Sequence, residues 1–538
     1  MIGVAAQLTD LEIAEEFFEL FKTPWERAEP GRRYTAVLCT EGCADSFDAP
    51  LVLMYSSGEE AVDGDAAKLL DGPIDIDWGK RSLPIYHRVA TFDSKRGACG
   101  LTCSGETVEY ESRCERGVLR RIGYDLFREI RYLLTKGQPV SRASTPTLDL
   151  HIDLLRSILR QCGVPFVEIA PRPFQHDFIC CLTHDIDFFG LRRQGLDLTL
   201  AGFLARASLG TLADLVRGRR PLVEAVRNWR AFLSVPLVFL GLAPDFWRPF
   251  EDYASVEEGR RSTFFVVPFK DRPGIAPDGM VTPRRAVPYQ ASEIRNEIAK
   301  AMSRGSEVAV HGIDAWRDAD AGRAELTELN AVTGQTAAGV RMHWLYFAED
   351  AAHRLEAAGF GYDSTCGFND AVGYRAGTSQ VFRLPGTRQL MELPLVIMDT
   401  ALFYGHRMGL DAARALQLCR QIVAHARDLG GTVVINWHER SLAPERLWGR
   451  AYGQLLEEVG TGDRTWFATA TQAVDWFRWR RSIRFERDAD GTTLVVATAE
   501  SRAARPSALM RVYRPDRTAV GDIQDIRFDG DEPLKVEL

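Results

Sequence analysis

This sequence predicts an α/β protein: a distorted (β/α) barrel of about seven strands, preceded by an α/β domain and followed by a small β appendage. Three observations predict it. Between residues 171 and 480, short runs of β-branched and bulky apolar residues alternate with segments of helical periodicity, as in parallel βα units. Most of those runs end on Asp, His or Arg, which puts polar side chains at the strand ends where a βα-barrel keeps its site. After Trp479 the helical period gives way to short alternating segments.

Residues 1–170 form the first predicted domain. Thr9-Asp-Leu-Glu12 reads as a capping box opening an amphipathic helix through Phe21, and nothing near Met1 reads as a signal peptide. Tyr34–Cys39 and Pro50–Tyr55 read as strands, Gly117–Leu134 as a helix, and Pro139–Thr147 as a linker rich in Ser, Thr and Pro. Cys39 with Cys43 and Cys99 with Cys103 lack the usual two-residue zinc spacing, so buried or idle thiols are the better reading. The ten cysteines are scattered, with no disulfide framework, which suits a cytoplasmic location.

The barrel's first strand is the most informative stretch of the chain. Phe178-Ile-Cys-Cys-Leu-Thr-His-Asp-Ile-Asp187 is apolar and ends in two carboxylates two positions apart. Side chains alternate along a strand, so Asp185 and Asp187 face one side. Two such carboxylates repel unless a cation or a shared proton intervenes. An Asp-rich strand end before a turn is the plainer reading of this stretch alone, but later runs repeat the pattern. They end at His311, at Arg341 and His343, at Asp363, at Asp399 and at His438; the run Arg261–Pro268 has no charged end. Helical segments fall between them: Ser292–Arg304, Glu349–Ala358 before Gly359, and Leu410–Leu429 before Gly430.

Over about residues 172–480 the chain resembles the polysaccharide deacetylases, the NodB-homology group of metal-dependent carbohydrate esterases. Thr183-His-Asp-Ile-Asp187 is similar to the family's first motif, which makes Asp185 the base and Asp187 a metal ligand. His311-Gly-Ile-Asp-Ala315 occupies the place of the second motif, whose usual later histidine is here Ala315. Arg341 matches the arginine that holds the base, and His438 in Trp437-His-Glu439 the histidine acid. The resemblance implies a divalent metal, with Zn2+ the expected ion. A catalytic zinc wants three protein ligands and water; Asp187 and His311 supply two, and Asp314, His343 and His184 compete for the third place. Asp363 or Asp399 is expected to hold the His438 imidazole protonated. The implied activity is hydrolysis of an N-acetyl or N-formyl amino sugar in glycan or polysaccharide biosynthesis, the sugar being lipid- or nucleotide-linked. Two alternatives stay open: an inactive barrel that binds glycan or acts as a scaffold, motivated by Ala315, and a glycosyltransferase using Asp185 and Asp187 to hold a metal–nucleotide.

Residues 191–250 interrupt the barrel after its first strand. Between 191 and 230 they hold eight arginines against Asp197, Asp214 and Glu224, in a chain whose net charge is -8. The overall charge excludes general nucleic-acid affinity. The basic insertion, followed by the apolar run Ala231–Ala243, suits either a helical cap or peripheral contact with an anionic membrane through 191–243. No apolar stretch reads as long enough to span a bilayer. In the last domain, 481–538, Ile483–Glu486, Thr492–Thr498, Ala508–Tyr513 and Ile526–Phe528 read as strands, with a turn at Asp488–Gly491.

Overall fold

The computed structural model describes residues 1–40, 47–60, 63, 67–93, 100–114, 117–193, 198–336, 339–443, 445–446, 448–487, 493–498, 505–515 and 522–537. They divide into two compact units: one of Met1–Gln175, Tyr374–Pro385 and Trp476–Leu538, the other of His176–Gly373 and Gly386–Asp475.

The second unit is built on a parallel sheet. Its strands are β1 (Phe178–Ile186), β2 (Ser262–Val266), β3 (Glu307–Gly312), β4 (Gly339–Met342), β5 (Tyr362–Asp363), β6 (Met391–Glu392), β7 (Ile397–Met398), β8 (Thr432–Asn436) and β9 (Thr465–Phe467). They lie in the order β6-β5-β4-β3-β2-β1-β8-β7, with β9 also paired to β1, and every pairing is parallel. Every residue of β1, β2 and β8 is buried. Burial on both faces explains why these strands read as continuous apolar runs without alternation. Between them run helices, including Arg295–Ser303, Ala319–Thr333, Ala351–Ala358 and Ala412–Leu429. Gly359 ends the third of these with φ 101°, a conformation only glycine adopts without strain.

Two details of the sheet depart from the sequence reading. The run ending at Asp399 forms two short strands instead of one, because Pro394 between them offers no amide donor. The segment also crosses between the sheet's edges: the Leu393 amide donates to Asp363 O at 2.8 Å and the Val396 amide to Val434 O at 3.2 Å. These bonds draw β5 and β8 toward each other and curl the sheet. The strand Thr465–Phe467, three residues long, was too short to read from periodicity.

The insertion is helical: Leu198–Ala205, a π-turn Arg206–Gly210, Thr211–Val216, and a long helix Leu222–Phe239. Phe203, Val235, Val238 and Trp247 form its core. The outer faces of the same helices leave Leu209, Val216, Val223 and Leu233 exposed. The segment Thr199–Val216, with mean hydropathy 1.2 and 22% of its residues buried, is long and apolar enough by length and composition to cross a membrane. That corrects the expectation that no such stretch exists; small and hydroxyl residues among its leucines masked it.

In the first unit, a six-stranded sheet runs Glu109–Cys114, Gly117–Ile122, Leu51–Tyr55, Ala36–Cys39, Ile2–Ala5 and Trp25–Arg27. Gly117–Ile122 is a strand antiparallel to its predecessor, not the start of a helix. The helix begins at Leu126, where the Asp125 carboxylate accepts the Arg128 amide at 3.1 Å. The expected capping box is also absent: Thr9 donates to Gln7 Oε1 at 3.4 Å, and helix Leu11–Phe21 starts without a side-chain cap. Cys39 and Cys103 are buried thiols; Cys43 and Cys99 lie outside the described residues, so the cysteine cluster does too. The expected turn Asp488–Gly491 also lies outside them. The C-terminal strands form two antiparallel three-stranded sheets, one of which is completed by Phe166–Pro173.

Candidate active site

Strand alternation sorts the residues at the end of β1. Thr183 and Asp185 face one side with Asp187, while His184 faces the other. His184 is buried, stacked on Tyr253 with ring centroids 3.6 Å apart. Its Nδ1 bonds to Trp437 O at 2.8 Å and its Nε2 to Glu257 Oε1 at 2.9 Å. With both ring nitrogens committed in the core, His184 drops out as a third metal ligand.

Asp185 is held from two sides. Arg341 Nη1, from β4, donates to Asp185 Oδ1 at 2.9 Å and to Thr183 Oγ1 at 2.8 Å. The rest of the guanidinium donates to Ser364 O and Ser364 Oγ. Asn436 Nδ2, from β8, donates to Asp185 Oδ2 at 2.7 Å. Burial opposes ionisation of this carboxyl, but nearby positive charge, that of Arg341 foremost, outweighs it and sets it below the usual carboxylate range.

Asp187, His311 and His343 form the one group of donor atoms among the described residues that could hold a metal ion. Asp187 Oδ1 lies 3.3 Å from His311 Nε2 and 3.1 Å from His343 Nδ1, and the two ring nitrogens are 3.0 Å apart. Donors bound at about 2.0–2.1 Å sit roughly 3.0 Å apart in an octahedral and roughly 3.4 Å apart in a tetrahedral shell. His311 Nδ1 bonds to Arg341 O at 2.9 Å. That bond puts the proton on Nδ1 and leaves Nε2 a free lone pair aimed at the group. Asp187 Oδ1 is itself buried, and apart from the two ring nitrogens no donor among the described residues reaches it. A divalent cation fits these residues. Against the cost of burial, His343 and His311 hold Asp187 well below the usual carboxylate range.

Asp314 is not part of the group. Its Oδ1 accepts the Ile275 amide at 3.0 Å and Arg317 Nε at 2.9 Å, so it anchors a loop. Ala315 is fully buried, and a Cβ built on Gly322 of the helix Ala319–Thr333 would lie 3.0 Å from the Ala315 Cβ. Position 315 therefore belongs to the helix packing, and His343, from the end of β4, stands beside His311 in its stead.

The partner of His438 is Asp399. His438 Nδ1 bonds to Asp399 Oδ1 at 2.6 Å and the His438 amide donates to Asp399 Oδ2 at 2.8 Å. Burial disfavours the imidazolium, yet the Asp399 carboxylate, its hydrogen bond and the charges of Asp185 and Asp187 prevail and raise His438 to about 10. His438 Nε2 lies 3.9 Å from Asp185 Oδ2. Asp363, the other aspartate admitted for this role, is elsewhere. It sits opposite Glu392 in the strand pairing, accepts from Thr365, and is raised to about 6 by burial. That acidic pair lies in the sheet and has no contact with His438.

Asp185, Asp187, His311, His343 and His438 line one cavity of about 800 Å3, together with Trp344 and several arginines. Three of its features escaped the sequence reading. Asn436 reaches Asp185 only because β8 pairs beside β1. Glu439, whose Oε2 accepts the Asp187 amide at 3.2 Å, is pushed up to about 7 by burial and then by the Asp187 charge. Trp344 takes φ 64° and ψ 17°, a left-handed conformation uncommon outside glycine, and presents a 39% exposed indole.

No family model and no curated protein matches this chain. Solved structures similar to it include a protein of Mycobacterium smegmatis described as a polysaccharide deacetylase (20% identity, TM-score 0.34, covering 58% of this chain and 95% of that one). Another so described, from Pseudomonas aeruginosa PAO1, has 16% identity and TM-score 0.36 over 57% of this chain and 94% of that one. An allantoinase has 15% identity and TM-score 0.34 over 57% and 92%. At these values the likeness carries no weight for function, which rests on the side-chain geometry.

Proposed function

We propose that the protein is a metal-dependent hydrolase that removes an N-acetyl or N-formyl group from an amino sugar carried on a phosphate-bearing lipid or nucleotide during glycan biosynthesis. One observation carries the reading. A carboxylate kept ionised, an imidazole kept protonated and a three-donor metal group, drawn from four separate strand ends, face a single cavity. Acyl C–N hydrolysis needs those three things together.

On this proposal Asp187, His311 and His343 hold the ion. The chemistry that a divalent ion, here Zn2+, supplies is polarisation of the acyl carbonyl and acidification of water. Asp185 takes the proton of the attacking water as its oxygen bonds to the acyl carbon, with Arg341 and Asn436 fixing the carboxylate. His438 Nε2 gives its proton to the nitrogen as the C–N bond breaks, which releases the free amine and the carboxylic acid. Asp399 holds the imidazole by Nδ1 so that the proton-bearing Nε2 faces the cavity. Trp344 offers an apolar face to the sugar ring. The inactive-scaffold reading was motivated by Ala315, and His343 beside His311 removes that motive.

The test is metal content and turnover together. Wild-type protein should bind about one divalent ion per chain, measured by atomic emission, and release acetate or formate from an N-acylated amino-sugar phosphate. Asp187→Ala should lose the ion, and Asp185→Asn should keep it while losing about three orders of magnitude in rate, within the span typical of general acid–base groups. A protein that binds no divalent ion under any condition would sink the proposal.

A further inference from the structure

The arginines on one wall of the cavity have no role in the hydrolytic machinery. Arg206 comes from the π-turn of the insertion, Arg407 from the loop after helix Asp399–Phe403, and Arg446 from the loop after His438; all three line the cavity. They gather around Tyr404. The Arg407 and Arg446 guanidinium carbons each lie 5.5 Å from its ring centroid, and Arg446 Nη2 is 3.5 Å from its hydroxyl. Arg446 also stacks on Trp448 at 4.3 Å. Stacking covers a guanidinium's faces and leaves its N–H edges free to bind in the plane.

The charges of this wall are not balanced. Among the described residues, the ion pairs of these three arginines come down to Glu445, whose Oε1 is 3.8 Å from Arg206 Nη2. Among the described residues, no side chain donates a hydrogen bond to the Glu445 carboxylate, and no partner lies against the buried Nε atoms of Arg206 and Arg446. Arg407 donates to Thr400 Oγ1 at 2.8 Å, a neutral acceptor. Burial lowers the Arg206 pKa, and the Arg446 charge lowers it further, so the two cations repel. Buried donors left idle are costly unless a ligand satisfies them.

The geometry points to a phosphate-binding subsite formed by Arg206, Arg407 and Arg446 around Tyr404, which takes the phosphate or diphosphate of the carrier linked to the sugar. It rests on the hydrolase reading for the sugar, but not for the anion. Three guanidiniums suit a ligand with several anionic oxygens; a single carboxylate would be met by one bidentate arginine. Phosphate held here and an acyl group at Asp185 share one cavity, so the subsite sets which end of the substrate enters.

Isothermal titration with inorganic pyrophosphate tests it on wild type, Arg407→Ala, Arg446→Ala, Arg407→Lys and Asp187→Ala, each first checked for an unchanged melting temperature. The arginine-to-alanine variants should each weaken binding about tenfold, the loss of one charge-assisted contact. Arg407→Lys, which keeps the charge, should lose less, and Asp187→Ala should stay within about twofold. Affinity unchanged in both alanine variants, or lost only in Asp187→Ala, overturns the subsite, since the anion would then be on the metal group. Uridine diphosphate and geranyl diphosphate form two further arms: whichever binds tighter than pyrophosphate identifies a nucleotide or a lipid carrier, and binding of neither overturns the proposal. Arginine-dependent binding without deacylation would sink the hydrolase reading alone; deacylation with arginine-independent binding would sink the subsite alone.

Discussion

Asp399 and Asp363 are both strand-end aspartates of this sheet, and only their neighbours separate them. Asp399 bonds the His438 ring, whereas Asp363 faces Glu392 and is pushed up by burial. The His438 value of about 10 therefore depends on one carboxylate above others. A group whose folded pKa is raised contributes stability that is complete below its ordinary value of about 6.5 and is lost as pH rises through about 10. The same window governs its service as an acid, so activity should fall on the alkaline side as His438 deprotonates. Asp399→Asn removes the charge and keeps the shape. It should move the alkaline limb of the kcat–pH profile down by about one unit or more, and a limb that does not move would rule out this role for Asp399.

At the scale of elements, the site depends on strands that contribute only one or two residues each. Strand β8 carries Val433, Val434 and Ile435, all fully buried, into Asn436 and then His438. Its pairing with β1 sets Ile435 opposite Leu182 and Asn436 opposite Thr183, and this register lets Asn436 reach Asp185. Ile435→Ala removes buried methyl groups from the strand and should cost about 2–5 kcal/mol, measured by urea unfolding. The rate per folded molecule should fall as well, because Asn436 and His438 are positioned by the same backbone. A loss of stability with the rate intact would show that the loop alone positions them.

For the whole molecule, charge and apolarity are unevenly distributed. The chain carries -8 overall, yet the insertion exposes Arg217, Arg219, Arg227 and Arg230 beside Val216 and Val223, which are 80% and 81% exposed. Exposed basic and apolar groups within one insertion suit an anionic lipid headgroup layer, which is the membrane contact we propose. In a flotation assay the protein should bind vesicles containing anionic lipid and not neutral ones, more weakly as salt is raised. Val223→Ser with Leu233→Ser should release it; equal binding by that variant would exclude this surface. The carboxylate pair, the strand-end histidines, Arg341 and the alternation of strands and helices were legible in the sequence, because each is a matter of spacing along one chain. Local periodicity misled where a strand and a helix run together, as at Gly117–Ile122, and where a proline divides a run, as at Pro394. The sequence by itself determined which residue types stand at the strand ends and that a buried parallel sheet carries them. Only the tertiary structure decided that His343 and not Asp314 or His184 completes the donor group, and that Asp399 and not Asp363 holds His438. Those choices turn on contacts between strands far apart in sequence, and the packing that fixes them leaves no local pattern to read.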